Sequence, residues 1–204
     1  MQNLKMFSLC LYPRHHSIIK QFKYIPVGLG NNEFDDNWLT DNTGDNISKK
    51  NPYYGEYTFH YWLWKNYLPK IKSNWIGFCQ YRKFFFKKEL IVKGLKFEDL
   101  EKNILKTIDQ SNQNFDCILG NQFSVENFKT SKIIKNHLQE FLSKPYLFFS
   151  KKRRNLKFHF DLFHGKGNLE KAINLLDHEN KKDFKKFMEN RTSFNPHNMF
   201  VCKT

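Results

Sequence analysis

Three residues at the end of an apolar run carry the side chains best suited to bind an anionic ligand. The run is WIGFC at positions 75–79, and Tyr81, Arg82 and Lys83 lie at its end. Charged side chains cannot continue into a core, so these residues should emerge at a strand end, where open α/β sheets bind ligands. Arg82 fits phosphate through two parallel hydrogen bonds, and Lys83 adds a mobile point charge. An ordinary strand end with surface cations would show the same pattern.

A second group of candidate residues lies in a strongly aromatic segment at positions 52–67. Aromatic and aliphatic side chains there cover nearly the whole circumference of a helix, which predicts a helix buried on most sides. Glu56 and His60 are exceptions, and they project from the same face because they are one turn apart. They could form a satisfied buried pair. For Glu56 we also expect a partner in a ligand site, either a sugar hydroxyl or a basic side chain.

Apolar patterns along the chain alternate between strand-like and helix-like segments. Strands are predicted at positions 5–12, 24–28, 75–79, 115–119 and 199–202. Helices are predicted at positions 52–66, 97–108, 125–142 and 169–188. Asn51 is a suitable cap for the first of these helices, and Pro52 suits its first turn. The alternation predicts an α/β fold, a mixed sheet flanked by helices with a ligand crevice at the carboxyl ends of its strands.

Length and charge narrow the class of protein. With 204 residues, of which 40% are hydrophobic, the chain can bury the core of one domain over residues 1–204. No window approaches the roughly 18 apolar residues of a membrane span, and we expect a cytoplasmic protein. The net charge of +14 invites a nucleic-acid interpretation, but most of the excess is dispersed Lys and no recognition motif is present. The tight cluster at 151–154 fits a solvated surface. A positive field also favours an anionic substrate or the inner face of a membrane.

A long, ordered set of motifs resembles one protein family. The motifs are IPVG at 25–28, DNTGDNIS at 41–48, NPYYGEYTFHYWLWKN at 51–66, IGFCQYRKF at 76–84 and HNMF at 197–200. Together they strongly resemble a family of bacterial capsular polysaccharide and lipopolysaccharide glycosyltransferases known as domain-of-unknown-function family 4422. The resemblance implies a Rossmann-like GT-A fold. It also implies transfer of a sugar from a nucleotide-sugar donor, most readily a UDP-sugar, to a glycan or lipid-linked glycan acceptor.

The chain departs from the family pattern at several positions. Gln80 stands where the family usually has His, Lys83 stands where it has a second Arg, and Gly55 replaces a bulkier residue beside Glu56. Members usually continue past the NMF segment with further helix, whereas this sequence stops at Thr204. The alternative function is therefore a catalytically inactive, truncated member of the family. A basic nucleic-acid-binding protein is the less favoured alternative.

A mechanism without a metal follows from the residues after the WIGFC run. Many GT-A enzymes hold the donor diphosphate through a metal on an Asp-x-Asp motif, and no such motif occurs there. We expect Arg82 and Lys83 to stabilise the departing nucleoside diphosphate instead, with Glu56 orienting Arg82 or binding the donor sugar. Candidates for the catalytic base are Asp116 and His197. The predicted nucleotide-sugar contacts are Asp45, Asn46, Tyr81, Arg82 and Asn198.

A metal-dependent alternative stays open at this stage. Mn²⁺ or Mg²⁺ prefers carboxylate oxygen ligands, and the polar loop after position 28 contains several. Such a site would recruit Asp35 with Asp36, or Asp41 with Asp45. The same loop could equally be a turn.

Overall fold

The structure is a computed structural model that describes residues 2–90, 96–127, 134, 138–143, 145–150 and 154–204. The chain divides into two compact units: Met1–Gly120 together with His197–Thr204, and Asn121–Pro196. Residues 151–153 of the basic cluster lie outside the described residues, and so does the middle of the predicted helix at 125–142. Arg154, the last residue of that cluster, is buried, so it does not belong to a solvated surface. The single-domain assignment stays a prediction.

The described residues of the first unit form one mixed sheet of seven strands. Its strands are β1 Gln2–Cys10, β2 Ile25–Gly28, β3 Leu39–Thr40, β4 Trp75–Gln80, β5 Thr107–Ile108, β6 Cys117–Leu119 and β9 Phe200–Lys203. The intervening numbers, β7 and β8, belong to the second unit and are given below. The order is β3-β2-β1-β4-β9-β6, with β5 paired to β1. Strands β1 to β4 run parallel, and β9 runs antiparallel to both β4 and β6. The ends of β1 to β4 and the start of β9 therefore share one edge, called here the carboxyl edge. The opposite one is the amino edge.

Helices flank this sheet in the first unit and make up most of the second. Those of the first unit are α1 His16–Gln21, α2 Asn51–Tyr54, α3 Tyr57–Trp62 and α4 Phe97–Asn103. Those of the second are α5 Leu138–Ser143, α6 Pro145–Phe149, α7 Leu156–His164, α8 Asn168–Ile173 and α9 His178–Asn190, beside the paired strands β7 Phe123–Ser124 and β8 Ser193–Phe194. Within the described ranges, no helix is long and apolar enough to cross a membrane.

Local hydrogen bonds explain two helix starts in the second unit. The Asn155 side chain accepts from the backbone N–H of Phe158 and begins α7. The Asp177 side chain accepts from the backbone N–H of Asn180 and begins α9. Both satisfy a backbone donor that has no partner within its helix. The Asp177 cap therefore divides the single helix predicted at 169–188 into α8 and α9.

The two faces of the sheet bury separate apolar clusters because side chains alternate along a strand. On β1, Met6 belongs to the cluster that includes Trp75, and Phe7 belongs to the one that includes α3. The Phe7 ring lies 5.4 Å from that of Phe59 and 5.8 Å from that of Phe78. These contacts hold α3 against the sheet. They fix its first turn beside the end of β4.

The aromatic segment is not the continuous helix that the sequence predicted. Helix α2 ends at Tyr54, Gly55 adopts a φ of 54°, and α3 begins at Tyr57. A π-helical turn, Leu63–Tyr67, follows α3. Asn51 is the first residue of α2 rather than its cap, and its side-chain amide donates to the Gly55 carbonyl. Only Gly adopts this backbone conformation without strain, so Gly55 breaks the helix.

The predicted burial of this segment on most sides is also wrong. Phe59 and Trp62 are buried against the sheet, as the aromatic pattern indicated. Tyr53 is 89% exposed, and Tyr57 is 54% exposed. The segment therefore has one buried face and one aromatic face in solvent.

Replacing Gly55 with alanine should destabilise the protein through the backbone alone. A Cβ at Gly55 would meet no atom within 4 Å, but φ is +54°. We expect a loss of roughly 1–3 kcal/mol in the free energy of unfolding, measured by urea denaturation. Gly120→Ala is the matched control, because a Cβ there also meets nothing within 4 Å and its φ is not left-handed. Equal losses in the two variants would contradict the assignment of strain to Gly55.

Candidate active site

A carboxylate and an amide meet where β4 ends and α3 begins. Gln80 Nε2 donates a hydrogen bond to Glu56 Oε1 at 2.6 Å. Burial raises the pKa of Glu56, while the Gln80 hydrogen bond, the Lys83 charge and a hydrogen bond with Asn198 act to lower it. The net shift is upward because the burial effect is the largest. A carboxylate with a raised pKa is a stronger base than an ordinary carboxylate, which suits it to act as a general base.

A lysine and a histidine form the second contact at this edge. Lys83 Nζ lies 2.6 Å from Nε2 of His197 and 3.2 Å from its Nδ1. An ammonium group only donates, so the imidazole accepts through an unprotonated nitrogen, which the shorter distance assigns to Nε2. Burial and the Lys83 charge both lower the pKa of His197, and its neutral form is favoured. Its single lone pair is engaged by Lys83, so His197 is suited to hold Lys83 in position.

Asn198 completes a group of polar residues drawn from three parts of the chain. Its side chain interacts with Glu56, and its Oδ1 accepts from the Tyr57 hydroxyl at 3.2 Å. The group forms because β9 runs antiparallel beside β4, with Phe78 opposite Phe200, so the residues before β9 return to the end of β4. We call the following residues the carboxyl-edge cluster: Glu56, Gln80, Lys83, His197 and Asn198.

Arg82 lies beside this cluster with its charge exposed. Its guanidinium carbon is 4.7 Å from the centroid of the Tyr81 ring, which stacks on His15 at 4.6 Å. Among the residues that the structure describes, no carboxylate forms an ion pair with Arg82. Its N–H donors are therefore available to an anionic ligand, and the aromatic contact orients the guanidinium plane.

Comparison with known proteins assigns the chain to a family. The family model described as a domain of unknown function, DUF4422, matches residues 9–204. The chain belongs to the DUF4422 family. Among solved structures, this DUF4422 chain is similar to the apo structure of the WbbM bifunctional glycosyltransferase, with a TM-score of 0.51 and 22% sequence identity. The match covers 99% of this chain and 34% of that one, so the chain spans about a third of its length.

The structural likeness confirms the predicted fold. A mainly parallel sheet flanked by helices, together with the match to WbbM, shows a GT-A-like α/β architecture in this DUF4422 protein. No protein of curated function matches the sequence significantly.

Asp45 and Asn46 of the DUF4422 chain shape a loop at the carboxyl edge, after β3. Asp45 Oδ1 accepts from the Tyr61 hydroxyl, and the Asp45 backbone makes two hydrogen bonds with the Asn66 side chain. Asn46 Oδ1 accepts from the backbone N–H and the hydroxyl of Ser48. None of these bonds joins the carboxyl-edge cluster. The predicted nucleotide-sugar contacts of Asp45 and Asn46 stay predictions.

Asp116 lies apart from the cluster, at the amino edge of the sheet. Its carboxylate forms an ion pair with Lys203 at 2.8 Å, and Lys203 pairs with Trp75 at the start of β4. The Lys203 hydrogen bond and charge lower the pKa of Asp116. A base with a lowered pKa at the opposite edge cannot serve a reaction at the end of β4. We therefore correct the sequence hypothesis and leave Asp116 out of the candidate site.

His60 does not form the predicted side-chain pair with Glu56. Its ring lies 4.6 Å from the Phe78 ring and 5.5 Å from the Phe200 ring. Burial lowers the pKa of His60 to about 4, so it is neutral in the folded protein. The half-buried His60 ring packs against these two aromatic rings.

Asp35, Asp41 and Asp45 of the metal-dependent alternative are engaged in local hydrogen bonds. Asp35 Oδ1 accepts from the Asn37 backbone N–H, and Oδ1 of the buried Asp41 accepts from the Gly30 backbone N–H at 2.9 Å. Across the described parts of the chain, no group of three or more His, Cys, Asp or Glu is placed to hold a metal ion. The dependence of this protein on Mn²⁺ or Mg²⁺ stays an open prediction.

Gln80 and Tyr57 are the site residues that sequence reasoning missed. In the sequence, Gln80 stands out only as a departure from the family pattern, and Tyr57 belongs only to the aromatic segment. The available signal for Gln80 was its position between the buried run and Tyr81. No local signal indicates the bond between Tyr57 and Asn198, because they are 141 residues apart in the sequence.

Stability of the protein should fall as pH rises through the pKa of Glu56. The folded-state pKa is raised above the unfolded value, so the folded state binds this proton more tightly. The resulting stabilisation is fully present below the unfolded pKa and is lost as pH rises through the folded pKa. We expect Glu56→Gln to remove this loss, so the variant gains stability relative to the wild type towards neutral pH. Urea denaturation over a pH series measures the difference, and a difference that does not change with pH would contradict it.

Proposed function

We propose that this protein is a glycosyltransferase that moves a sugar from a nucleotide-sugar donor, a UDP-sugar most readily, to a capsular polysaccharide or lipopolysaccharide glycan. The carboxyl-edge cluster beside the exposed Arg82 carries the proposal. Such a cluster combines cations for a diphosphate with a carboxylate for an acceptor proton. The cluster lies at the carboxyl ends of parallel strands, which is the place where α/β sheets bind ligands. The glycosyltransferase WbbM, which shares the fold, supports the same reaction class.

The cations act on the leaving group. As the bond between the donor sugar and the diphosphate breaks, negative charge builds on the diphosphate oxygens. Arg82 offers a bidentate fork and Lys83 a point charge, and both are fixed before the reaction begins. The Tyr81 ring orients Arg82, and the His197 imidazole holds Lys83. The side chains of the protein thus stabilise the negative charge on the departing diphosphate.

Glu56 acts on the acceptor. The acceptor hydroxyl oxygen forms a bond to the anomeric carbon, the bond from that carbon to the diphosphate breaks, and the hydroxyl proton passes to the Glu56 carboxylate. Gln80 and Asn198 keep the carboxylate in one orientation through their hydrogen bonds. The upward shift of the Glu56 pKa makes it a stronger base for this transfer.

The location of the protein forms part of the proposal. A glycan acceptor that is linked to lipid would bring the enzyme to the inner face of a membrane from the cytoplasm. The net charge of +14 favours contact with an anionic lipid surface.

Thermal denaturation against a panel of UDP-, GDP-, dTDP- and CMP-linked sugars tests the function. Binding of a donor to the folded state raises the melting temperature by linkage, and we expect one nucleotide class to do so. A shift that EDTA leaves unchanged supports the cation mechanism, and a shift that requires Mn²⁺ supports the metal-dependent alternative. Release of nucleoside diphosphate from that donor then measures transfer. Absence of any shift, with oligonucleotide binding that falls steeply with salt, would overturn the function in favour of nucleic-acid binding.

A further inference from the structure

Three exposed tyrosines lie at the start of the aromatic segment. Tyr53 is 89% exposed, Tyr54 is 51% exposed, and Tyr57 is 54% exposed. We call them the tyrosine patch. Large aromatic rings clustered in solvent mark binding surfaces more often than isolated ones do. The packing of α3 does not account for them, because α3 packs on the sheet through Phe59 and Trp62.

The tyrosine patch is continuous with the carboxyl-edge cluster. Tyr57 follows Glu56 in the chain, and its hydroxyl donates to Asn198 Oδ1 at 3.2 Å. Tyr53 and Tyr54 end α2, and Gly55 alone separates them from Glu56 in the chain. A ligand that covers the patch can therefore also reach the Glu56 carboxylate.

The chemistry of the patch fits a carbohydrate. A sugar ring has a face rich in C–H groups that packs on an aromatic ring, and hydroxyls at its rim that exchange hydrogen bonds with phenol and amide groups. Tyrosine offers both kinds of contact and loses little conformational entropy on binding. An amphipathic helix that lies in a membrane surface typically buries Trp, Phe or Leu side chains in the lipid. None of these three residue types occurs at positions 51–57.

We propose that the tyrosine patch is the acceptor subsite, on which a sugar ring of the acceptor glycan stacks with its reactive hydroxyl directed at Glu56. The inference rests on the proposed function and assigns the acceptor side of the same site. The donor diphosphate is held at Arg82 and Lys83, and the acceptor approaches from α2 and α3. Glu56 adjoins Tyr57 in the chain and interacts with the Lys83 charge, so a base at this position can serve an acceptor that reaches the donor.

Glycan binding by patch variants tests the inference. The probe is an array of bacterial capsular and O-antigen oligosaccharides, followed by titration of the glycan that binds best. We expect Tyr53→Ala, Tyr54→Ala and Tyr57→Ala each to weaken binding by roughly 5- to 30-fold. Tyr57→Phe keeps the ring and loses the bond to Asn198, so its loss should be smaller. Phe115→Ala is the control, because Phe115 is 58% exposed and precedes the strand that starts at the amino edge.

The nucleotide-sugar thermal shift, measured on the same variants, separates the two proposals. A retained shift with weakened glycan binding supports the acceptor subsite. A retained shift with unchanged glycan binding, or no glycan binding by the wild type, overturns the subsite and leaves the proposed function intact. Exposed Lys49 and Lys50 lie nearby in the chain, so vesicles of phosphatidylglycerol are tested in parallel. Loss of vesicle binding alone would assign the patch to a membrane and overturn the subsite. Absence of the nucleotide-sugar shift in the wild type would overturn both proposals.

Discussion

Replacing Arg82 with alanine should remove most of the thermal stabilisation that a nucleotide sugar gives this protein. A hydrogen bond to a charged group contributes about 1.5–3 kcal/mol, so the variant should bind the diphosphate roughly 10- to 100-fold more weakly. A donor at a hundred times its Kd stabilises the wild type by about 2.7 kcal/mol. After a hundredfold loss of affinity the same concentration gives about 0.4 kcal/mol. The expected shift in melting temperature therefore falls from roughly 5–10 °C to about 1 °C.

Lys72→Ala is the matched control for the Arg82 variant. It removes one positive charge from an exposed residue that shortly precedes β4, at the amino edge. We expect it to leave the nucleotide-sugar shift at its wild-type size. An equal reduction in both variants would show that net charge alone attracts the ligand. An undiminished shift in Arg82→Ala would contradict diphosphate binding at the end of β4.

The Glu56→Gln variant should transfer sugar roughly 10²- to 10⁴-fold more slowly than the wild type, the range that general-base groups contribute. The substitution keeps an oxygen that can accept from Gln80 Nε2, so the geometry of the site is preserved. It removes the ability to take the acceptor proton. Because the diphosphate is held by Arg82 and Lys83, the nucleotide-sugar shift should stay unchanged. Rates of nucleoside diphosphate release in the presence of acceptor measure the effect.

Asp116→Asn provides the control for this substitution. It makes the same carboxylate-to-amide change at the amino edge, where Asp116 pairs with Lys203. Transfer should continue at the wild-type rate in this variant. If Asp116→Asn slows transfer and Glu56→Gln does not, Glu56 is not the general base.

Five of the seven strands of the sheet could be predicted because each lies in a short apolar run bounded by turn-forming residues, whereas the two-residue strands β3 and β5 were missed. The predicted strands at 24–28, 75–79 and 199–202 correspond closely to β2, β4 and β9. The helix predicted at 97–108 ends early, because Thr107 and Ile108 pair with Asn3 and Gln2 of β1. That pairing joins residues far apart in sequence, and local propensity carries no information about it. The helix break at Gly55 could have been predicted from the glycine itself, but the surrounding aromatic pattern favoured a continuous helix.

The candidate site was predictable only in the parts that one strand end defines. Arg82 and Lys83 follow a buried run, so their position at the carboxyl edge could be read directly from the sequence. The placement of His197 and Asn198 depends on the antiparallel direction of β9, and the position of Asp116 depends on the pairing of β6 with β9. Strand direction in a mixed sheet is set by long-range packing. The sequence therefore identified the candidate residue types, but it could not show that His197 and Asn198 lie at the end of β4 and that Asp116 lies at the amino edge.

The insertion of β9 between β4 and β6 has a consequence for biosynthesis. The ribosome releases the strands of the first unit up to Gly120 before Asn121–Pro196, and β9, which completes the sheet, emerges after that segment. At about 5–20 residues per second, the intervening segment delays them by roughly 4–15 s. During that interval β4 has an open flank that exposes a row of unpaired backbone donors and acceptors. The nascent chain consequently depends on residues after position 196 both to close this flank and to bring His197 and Asn198 to the end of β4.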